Sequence, residues 1–210
     1  MEAVISSMSS TPTLYFGYGS NLWLHQMAQR CPTSEYLGIA RLPNYRWIIN
    51  DRGYANVIQC RVPSDTKDPV EEVYGLVYSL LENDEMRLDV NEGVPVAYTK
   101  EFLETEFWPA EKGGEGGRVN VTRESQRTEM LVYIDRERTE DDVPKKEYCF
   151  RMNEGIKDAV RMGVPQDYVD RVIRRFIPAK SDEEAEELAR EQALDFQDER
   201  EEPASILCRA

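Results

Sequence analysis

The chain predicts an α+β protein in which the strands come first and the helices follow. Two patterns point there: apolar residues alternate in short period-two runs up to Asp135, and i, i+4 spacing takes over from Tyr148 onward. Composition agrees. Over 210 residues, 40% are hydrophobic and 31% charged, which suits one core-forming domain, and no stretch comes near the ~18 unbroken apolar residues of a membrane-spanning helix.

Six runs rich in Val, Ile, Tyr, Phe and Thr have the character of half-buried strands: 13–18, 45–50, 54–60, 73–80, 98–107 and 129–135. After the first, Ser20 or Asn21 can cap a helix continued by Trp23, Leu24 and Met27. Between the fourth and fifth, Asn83 can cap a short helix through Leu88 and Val90 that ends at Gly93 and Pro95, which places Glu92 at a helix-to-loop junction. Tyr148, Met152, Ile156 and Val160 share one helical face, with Gly163 as its C-terminal stop. Pro165 opens a further helix with Val169, Val172, Ile173 and Phe176 as its stripe, and Pro178 closes it.

The expected organisation is therefore a flexible start over 1–12, a single domain over 13–178 and an acidic helical extension over 179–210. Within the domain, 109–126 holds four glycines among charges, too polar to offset its ordering entropy, and is expected to be a mobile loop between strands.

Forty acidic and 26 basic residues give a net charge of −14, which repels phosphate backbones and anionic bilayers, so neither nucleic acid nor membrane is an expected partner. Half of that charge lies in 180–210, with eleven acidic and four basic residues. The first dozen residues lack a basic start and an apolar run, and the expected compartment is the cytoplasm. Cys31, Cys60, Cys149 and Cys208 are widely separated, and His25 is the sole histidine; this excludes a zinc site and a histidine-dependent triad and predicts isolated thiols.

Two places carry chemistry. In Leu14-Tyr15-Phe16-Gly17-Tyr18-Gly19-Ser20-Asn21-Leu22 an apolar strand runs into a turn whose glycines permit positive φ and close backbone approach, so that successive N–H groups can form a nest for a carboxylate or oxyanion. The same residues also fit a plain strand-ending turn with a helix cap. The second place is Glu92. A helix C-terminus disfavours a further anion, which would raise this carboxyl's pKa toward neutrality, although a solvated surface Glu fits the pattern equally well.

Tyr18-Gly19-Ser20-Asn21-Leu22, followed some seventy residues later by Leu88-Asp89 and Glu92-Gly93, resembles the γ-glutamylcyclotransferase family. The similarity extends in order through Ala40-Arg41-Leu42, Gly53-Tyr54-Ala55-Asn56-Val57, Glu72 to Tyr78, Tyr98, Tyr133, Tyr148 and Gly163-Val164-Pro165 to Tyr168, and spans about Leu14 to Pro178. This resemblance implies a small mixed β-barrel of about six strands with flanking α-helices. It implies a cofactor-free enzyme that releases 5-oxoproline and an amine or amino acid from a γ-glutamyl compound. By position, Glu92 matches the catalytic acid/base. Tyr15, Phe16, Gly17, Tyr18, Gly19, Ser20 and Asn21 match the substrate-binding turn, and Tyr98, Tyr133 and Tyr148 match pocket tyrosines.

The implied partner is a small γ-glutamyl molecule, and a homodimer through exposed residues of the last helices is compatible. The class of γ-glutamyl substrate stays open between dipeptides, amines and bulkier conjugates, with free glutathione ranked lower because Asn21 follows Gly19-Ser20. The alternative is a non-catalytic member of the same fold, a binding or regulatory protein whose acidic extension docks a partner. A hydrolase using Cys149 or Cys31 is a third.

Overall fold

The computed structural model describes residues 11–60, 72–111 and 117–179. It contains seven strands, β1 (Thr13–Gly17), β2 (Glu35–Pro43), β3 (Tyr45–Ile49), β4 (Ala55–Gln59), β5 (Glu72–Leu80), β6 (Thr99–Pro109) and β7 (Gln126–Ile134). Four helices accompany them, α1 (Leu24–Arg30), α2 (Glu82–Asn91), α3 (Lys146–Met162) and α4 (Gln166–Arg171). Five strands close a mixed barrel in the order β1-β5-β2-β6-β7, and β3 and β4 form a separate hairpin. All barrel pairs are antiparallel except the seam, where β1 meets β7 in parallel at Tyr15 and Leu131.

The barrel has one strand that sequence periodicity does not show. In β2, Gly38 takes φ +148 and the register shifts between Tyr36 and Gly38, so the bulge breaks the alternation that marks a strand. The expected count of about six strands thus becomes five in the barrel and two beside it. In β7, Met130, Leu131 and Val132 have no exposed surface, so successive residues on opposite faces are both covered, as a strand enclosed by other layers requires.

Helix starts differ from expectation as well. Asn83 lies inside α2, whose N-cap is Leu81. Neither Ser20 nor Asn21 caps α1: they form a 3-10 turn over Ser20–Leu22, Trp23 holds the N-cap position, and the first helical N–H, that of Leu24, donates to Asp158 Oδ2 on α3 at 2.9 Å. One long helix thereby caps another, a pairing that no local pattern encodes. α3 ends at Gly163 (φ +116), as its sequence predicts, and Pro165 occupies the N-cap of α4.

The described part of the glycine-rich loop is anchored. Val119 is buried and donates its N–H to the Met162 carbonyl at 2.7 Å, and Trp108 Nε1 donates to the Arg123 carbonyl at 2.8 Å. Its apolar members Val119 and Val121 dock on the core despite the polar composition. Residues 112–116, the acidic extension from 180 and the first ten residues lie outside the described residues.

Candidate active site

β1 ends at Gly17, and the chain then turns through Tyr18 and Gly19 into the 3-10 segment, closed by Leu22 N–H to Gly19 O at 2.9 Å and Trp23 N–H to Ser20 O at 3.0 Å. Neither Gly17 nor Gly19 has positive φ; Gly19 sits at −103°. Glycine is needed at position 19 for clearance instead: a Cβ there would lie 2.9 Å from the Tyr148 hydroxyl oxygen and 3.3 Å from Ala55 Cβ. Nor is the Ser20 amide part of an open nest, since it donates to Tyr148 Oη at 3.2 Å.

Glu92 occupies the C-cap of α2. Behind it, Gly93 adopts φ +64, its N–H donates to Val90 O at 3.2 Å and the Val94 N–H reaches back to Asp89 O at 3.0 Å. This pair of bonds is a Schellman motif, which uses glycine's access to the left-handed region to turn the chain sharply and thereby fixes the backbone that carries Glu92. Because that turn is on the surface the residue as a whole is half-buried, yet its carboxylate points inward and accepts from Asn21 Nδ2 at 3.1 Å.

Asn21 is itself held on every side. Its Nδ2 also donates to Tyr15 Oη at 2.9 Å, its Oδ1 accepts from Gln26 Nε2 at 2.9 Å and Arg30 Nη1 at 3.2 Å, and its carbonyl accepts from Tyr78 at 2.8 Å.

A pocket of about 520 Å³, open mouth included, lies between this turn and Glu92. Its lining brings together Tyr15, Tyr18, Gly19, Ser20, Asn21, Glu92, Tyr98, Tyr133 and Tyr148, all singled out in the sequence. Phe16 and Gly17 are not part of it. Side chains alternate along β1, so Phe16 points away from Tyr15 and its ring fills the space where a Cβ on Gly75 would stand, at 2.7 Å; the Gly17 carbonyl abuts the same position at 2.6 Å.

Sequence inspection missed Arg30, Arg52, Tyr54, Ala55, Asn91 and Arg151. Arg151 had a usable signal, because it lies three positions after Tyr148 on the same helical face. Arg52 sits at the turn of the β3–β4 hairpin, and Arg30 at the end of α1, where nothing local separates them from solvated charges.

Three guanidiniums and one carboxylate thus face a single pocket in a chain of net charge −14. Burial raises the pKa of Glu92, opposed by the positive charge of Arg30, the Asn21 hydrogen bond, Arg151 and Arg52. Desolvation therefore accounts for the direction that the helix C-terminus was expected to give. Arg30 is held down to about 10, first by burial and next by the charge of Arg151, and Arg151 is lowered by burial too. Arg151 Nη1 lies 3.4 Å from Ser20 Oγ and its guanidinium covers the Tyr148 ring at 5.1 Å. Arg52, partly exposed, stands 5.8 Å from the Tyr54 ring and 5.6 Å from that of Tyr98.

The tyrosines have fixed hydrogen-bonding directions. Tyr18 donates to the Tyr133 carbonyl at 2.6 Å, Tyr98 to the Ala55 carbonyl at 2.9 Å, and Tyr133 to Asp89 Oδ1 at 2.6 Å. Asp89 is paired in turn with Lys100 at 3.0 Å. Among the described residues, no group of His, Cys, Asp and Glu could hold a metal ion, and no helix is long and apolar enough to cross a membrane. Cys31 and Cys149 are free thiols; burial pushes that of Cys31 up to about 12, where it is a poor nucleophile.

No protein-family model matches the chain, and no curated protein matches it in sequence. Solved structures do. One described as a gamma-glutamyl cyclotransferase superposes with a TM-score of 0.61 at 21% identity, over 85% of this chain and 98% of its own. A human protein described as uncharacterized gives 0.60 at 21% identity, over 86% and 99%. The closed five-stranded mixed barrel, with helices packed around it and a pocket at the end of its first strand, has the γ-glutamyl cyclotransferase-like fold.

Proposed function

We propose that the protein is a γ-glutamylcyclotransferase: it closes the glutamyl part of a γ-glutamyl compound into 5-oxoproline and releases the attached amine or amino acid. The observation that carries this is the inward-facing Glu92 carboxylate, bonded to Asn21 of the turn and surrounded by Arg30, Arg151 and Arg52.

The reaction joins the substrate's own α-amine to its own γ-carbonyl carbon, so a protein nucleophile is not required, in keeping with a site that has neither histidine nor a reactive thiol. Tethered groups held in attacking geometry reach effective molarities of ~10⁵ to 10⁸ M, against ~10² to 10⁴ for a positioned acid or base, so shaping the substrate is the larger contribution. The aromatic walls, Tyr15, Tyr54, Tyr98, Tyr133 and Tyr148, suit that folding role. Arg30 and Arg151, both buried behind the turn, suit the substrate's α-carboxylate.

Glu92 takes a proton from the α-ammonium, which frees the nitrogen's lone pair. It returns a proton to the departing nitrogen as the C–N bond breaks. A carboxyl raised by burial is better matched to both steps near neutral pH than an ordinary Glu near 4.3.

The test is release of 5-oxoproline from a panel of γ-glutamyl dipeptides, γ-glutamylamines and glutathione-derived conjugates, with the wild type beside Glu92→Gln. Turnover by the wild type and its near abolition in the variant are expected. A wild type that cyclises nothing in the panel refutes the proposal, and equal rates in both chains remove Glu92 from it.

A further inference from the structure

The hydroxyl of Tyr148 is placed unlike those of Tyr18, Tyr98 and Tyr133, and unlike that of Tyr15, which accepts once and from a side chain, Asn21 Nδ2 at 2.9 Å. Tyr18, Tyr98 and Tyr133 each spend their proton on a protein acceptor, respectively the Tyr133 carbonyl, the Ala55 carbonyl and Asp89. Tyr148 does the reverse. Its oxygen accepts the Ser20 N–H at 3.2 Å and the Ala55 N–H at 3.3 Å, so its acceptor capacity is committed to the main chain of two elements that wall the pocket. A phenol oxygen that accepts twice has its one hydrogen left to give.

From this geometry we infer that Tyr148 is the oxyanion donor of the site, giving its proton to the γ-carbonyl oxygen in a hydrogen bond that strengthens as charge develops there. The inference rests on the cyclisation proposed above and assigns one step within it. When the α-nitrogen bonds to the γ-carbon, the carbonyl π pair moves onto oxygen, and Tyr148 stabilises that oxyanion without losing its own proton. On collapse the pair returns, the bond to the leaving nitrogen breaks and Glu92 protonates that nitrogen, while the second proton that the new ring nitrogen must shed passes to the released amine, which departs as an ammonium.

Three features favour this assignment over the main-chain amides of the turn. The Ser20 amide is already used on Tyr148 itself. Two N–H donors and the Arg151 guanidinium 5.1 Å above the ring draw electron density from the phenol and make it a stronger hydrogen-bond donor. The absence of a Cβ at Gly19, 2.9 Å from the hydroxyl, leaves the oxygen room to sit there.

The experiment compares steady-state 5-oxoproline release by the wild type, Tyr148→Phe and a chain with 3-fluorotyrosine at position 148, each checked for a cooperative melting transition. Loss of one oxyanion donor lowers kcat by about 10²–10³ with KM changed little, and this is expected of the Phe variant. Fluorotyrosine keeps both main-chain bonds and gives a more acidic proton, so kcat should rise by about two- to fivefold at constant KM. A folded Phe variant within threefold of the wild-type kcat overturns the inference. Should that variant not fold, an unchanged kcat in the fluorotyrosine chain overturns it instead. A wild type without any turnover removes the reaction and this role together, whereas turnover that is indifferent to both changes removes the role alone.

Discussion

Asn21 and Glu92, 71 positions apart, meet through a single hydrogen bond from Nδ2 to Oε1 at 3.1 Å. The bond joins the turn after β1 to the end of α2, and it is one of the groups that oppose the upward pull of burial on the Glu92 carboxyl. Its removal has a definite sign. Asn21→Asp replaces the donor with a second carboxylate, and two like charges in contact raise the pKa of one of them. The acidic limb of kcat/KM against pH should move upward by about one unit or more. A pH–rate profile of the variant with the wild-type limb would show that Glu92 is not the group titrating there.

Glu92 should also cost stability. In the unfolded chain its carboxyl ionises near ~4.3, and in the fold that pKa is raised by burial. Between the two values the native state binds more protons than the unfolded state, so this group's contribution falls as pH rises through the folded pKa and is fully present only below the unfolded one. Glu92→Gln imitates the protonated form at every pH. It should melt above the wild type at pH 7.5, with the difference shrinking toward pH 4. A variant less stable than its parent at pH 7.5 would contradict the raised pKa.

Trp47 ties the β3–β4 hairpin to the turn. Its Nε1 donates to the Tyr18 carbonyl at 3.0 Å, and both residues are buried. Trp47→Phe keeps most of the ring contact with Phe176 but leaves that carbonyl without its donor, a loss of about 1–3 kcal/mol. At roughly 2–4 °C per kcal/mol for a domain of this size, Tm should fall by about 2–12 °C. Activity should fall with it, because the orphaned carbonyl belongs to the pocket wall. Calorimetry and a rate on the same preparation check both.

What could be read from the chain, and what could not, divides along a physical line. The α2 junction at Glu92, the α3 stop at Gly163 and the turn from Tyr18 to Asn21 were legible because local chemistry decides them: a glycine in the left-handed region, an apolar stripe, a run of small residues. β2 was not, because the bulge at Gly38 destroys the alternation on which recognition of a strand depends. The start of α1 was hidden for another reason, since Asp158 supplies its cap from 134 positions away. The arginines were missed most completely. Arg30, Arg52 and Arg151 come from α1, a hairpin and α3, and their shared charge exists only once the barrel has closed. A chain with a net charge of −14 suggests anion repulsion, while the pocket it builds is cationic.

Arg52 stands apart from the other two. Arg30 and Arg151 are buried behind the turn, where burial lowers the basicity of both and the charge of Arg151 lowers that of Arg30 further, whereas Arg52 is partly exposed at the hairpin and faces Tyr54 and Tyr98. If the buried pair takes the glutamyl α-carboxylate, the part of the substrate that leaves extends toward the open side, where Arg52 can meet a second anion. A leaving amino acid has such a group and a simple amine does not. Arg52→Leu should therefore lower kcat/KM for γ-glutamyl amino acids by about 10- to 100-fold, the ~1.5–3 kcal/mol of a charge-assisted hydrogen bond, and leave γ-glutamylamines within about threefold. Competition between one substrate of each kind in a single reaction gives the ratio directly. A variant that loses both to the same extent would place Arg52 in the folding of the hairpin instead of in substrate choice.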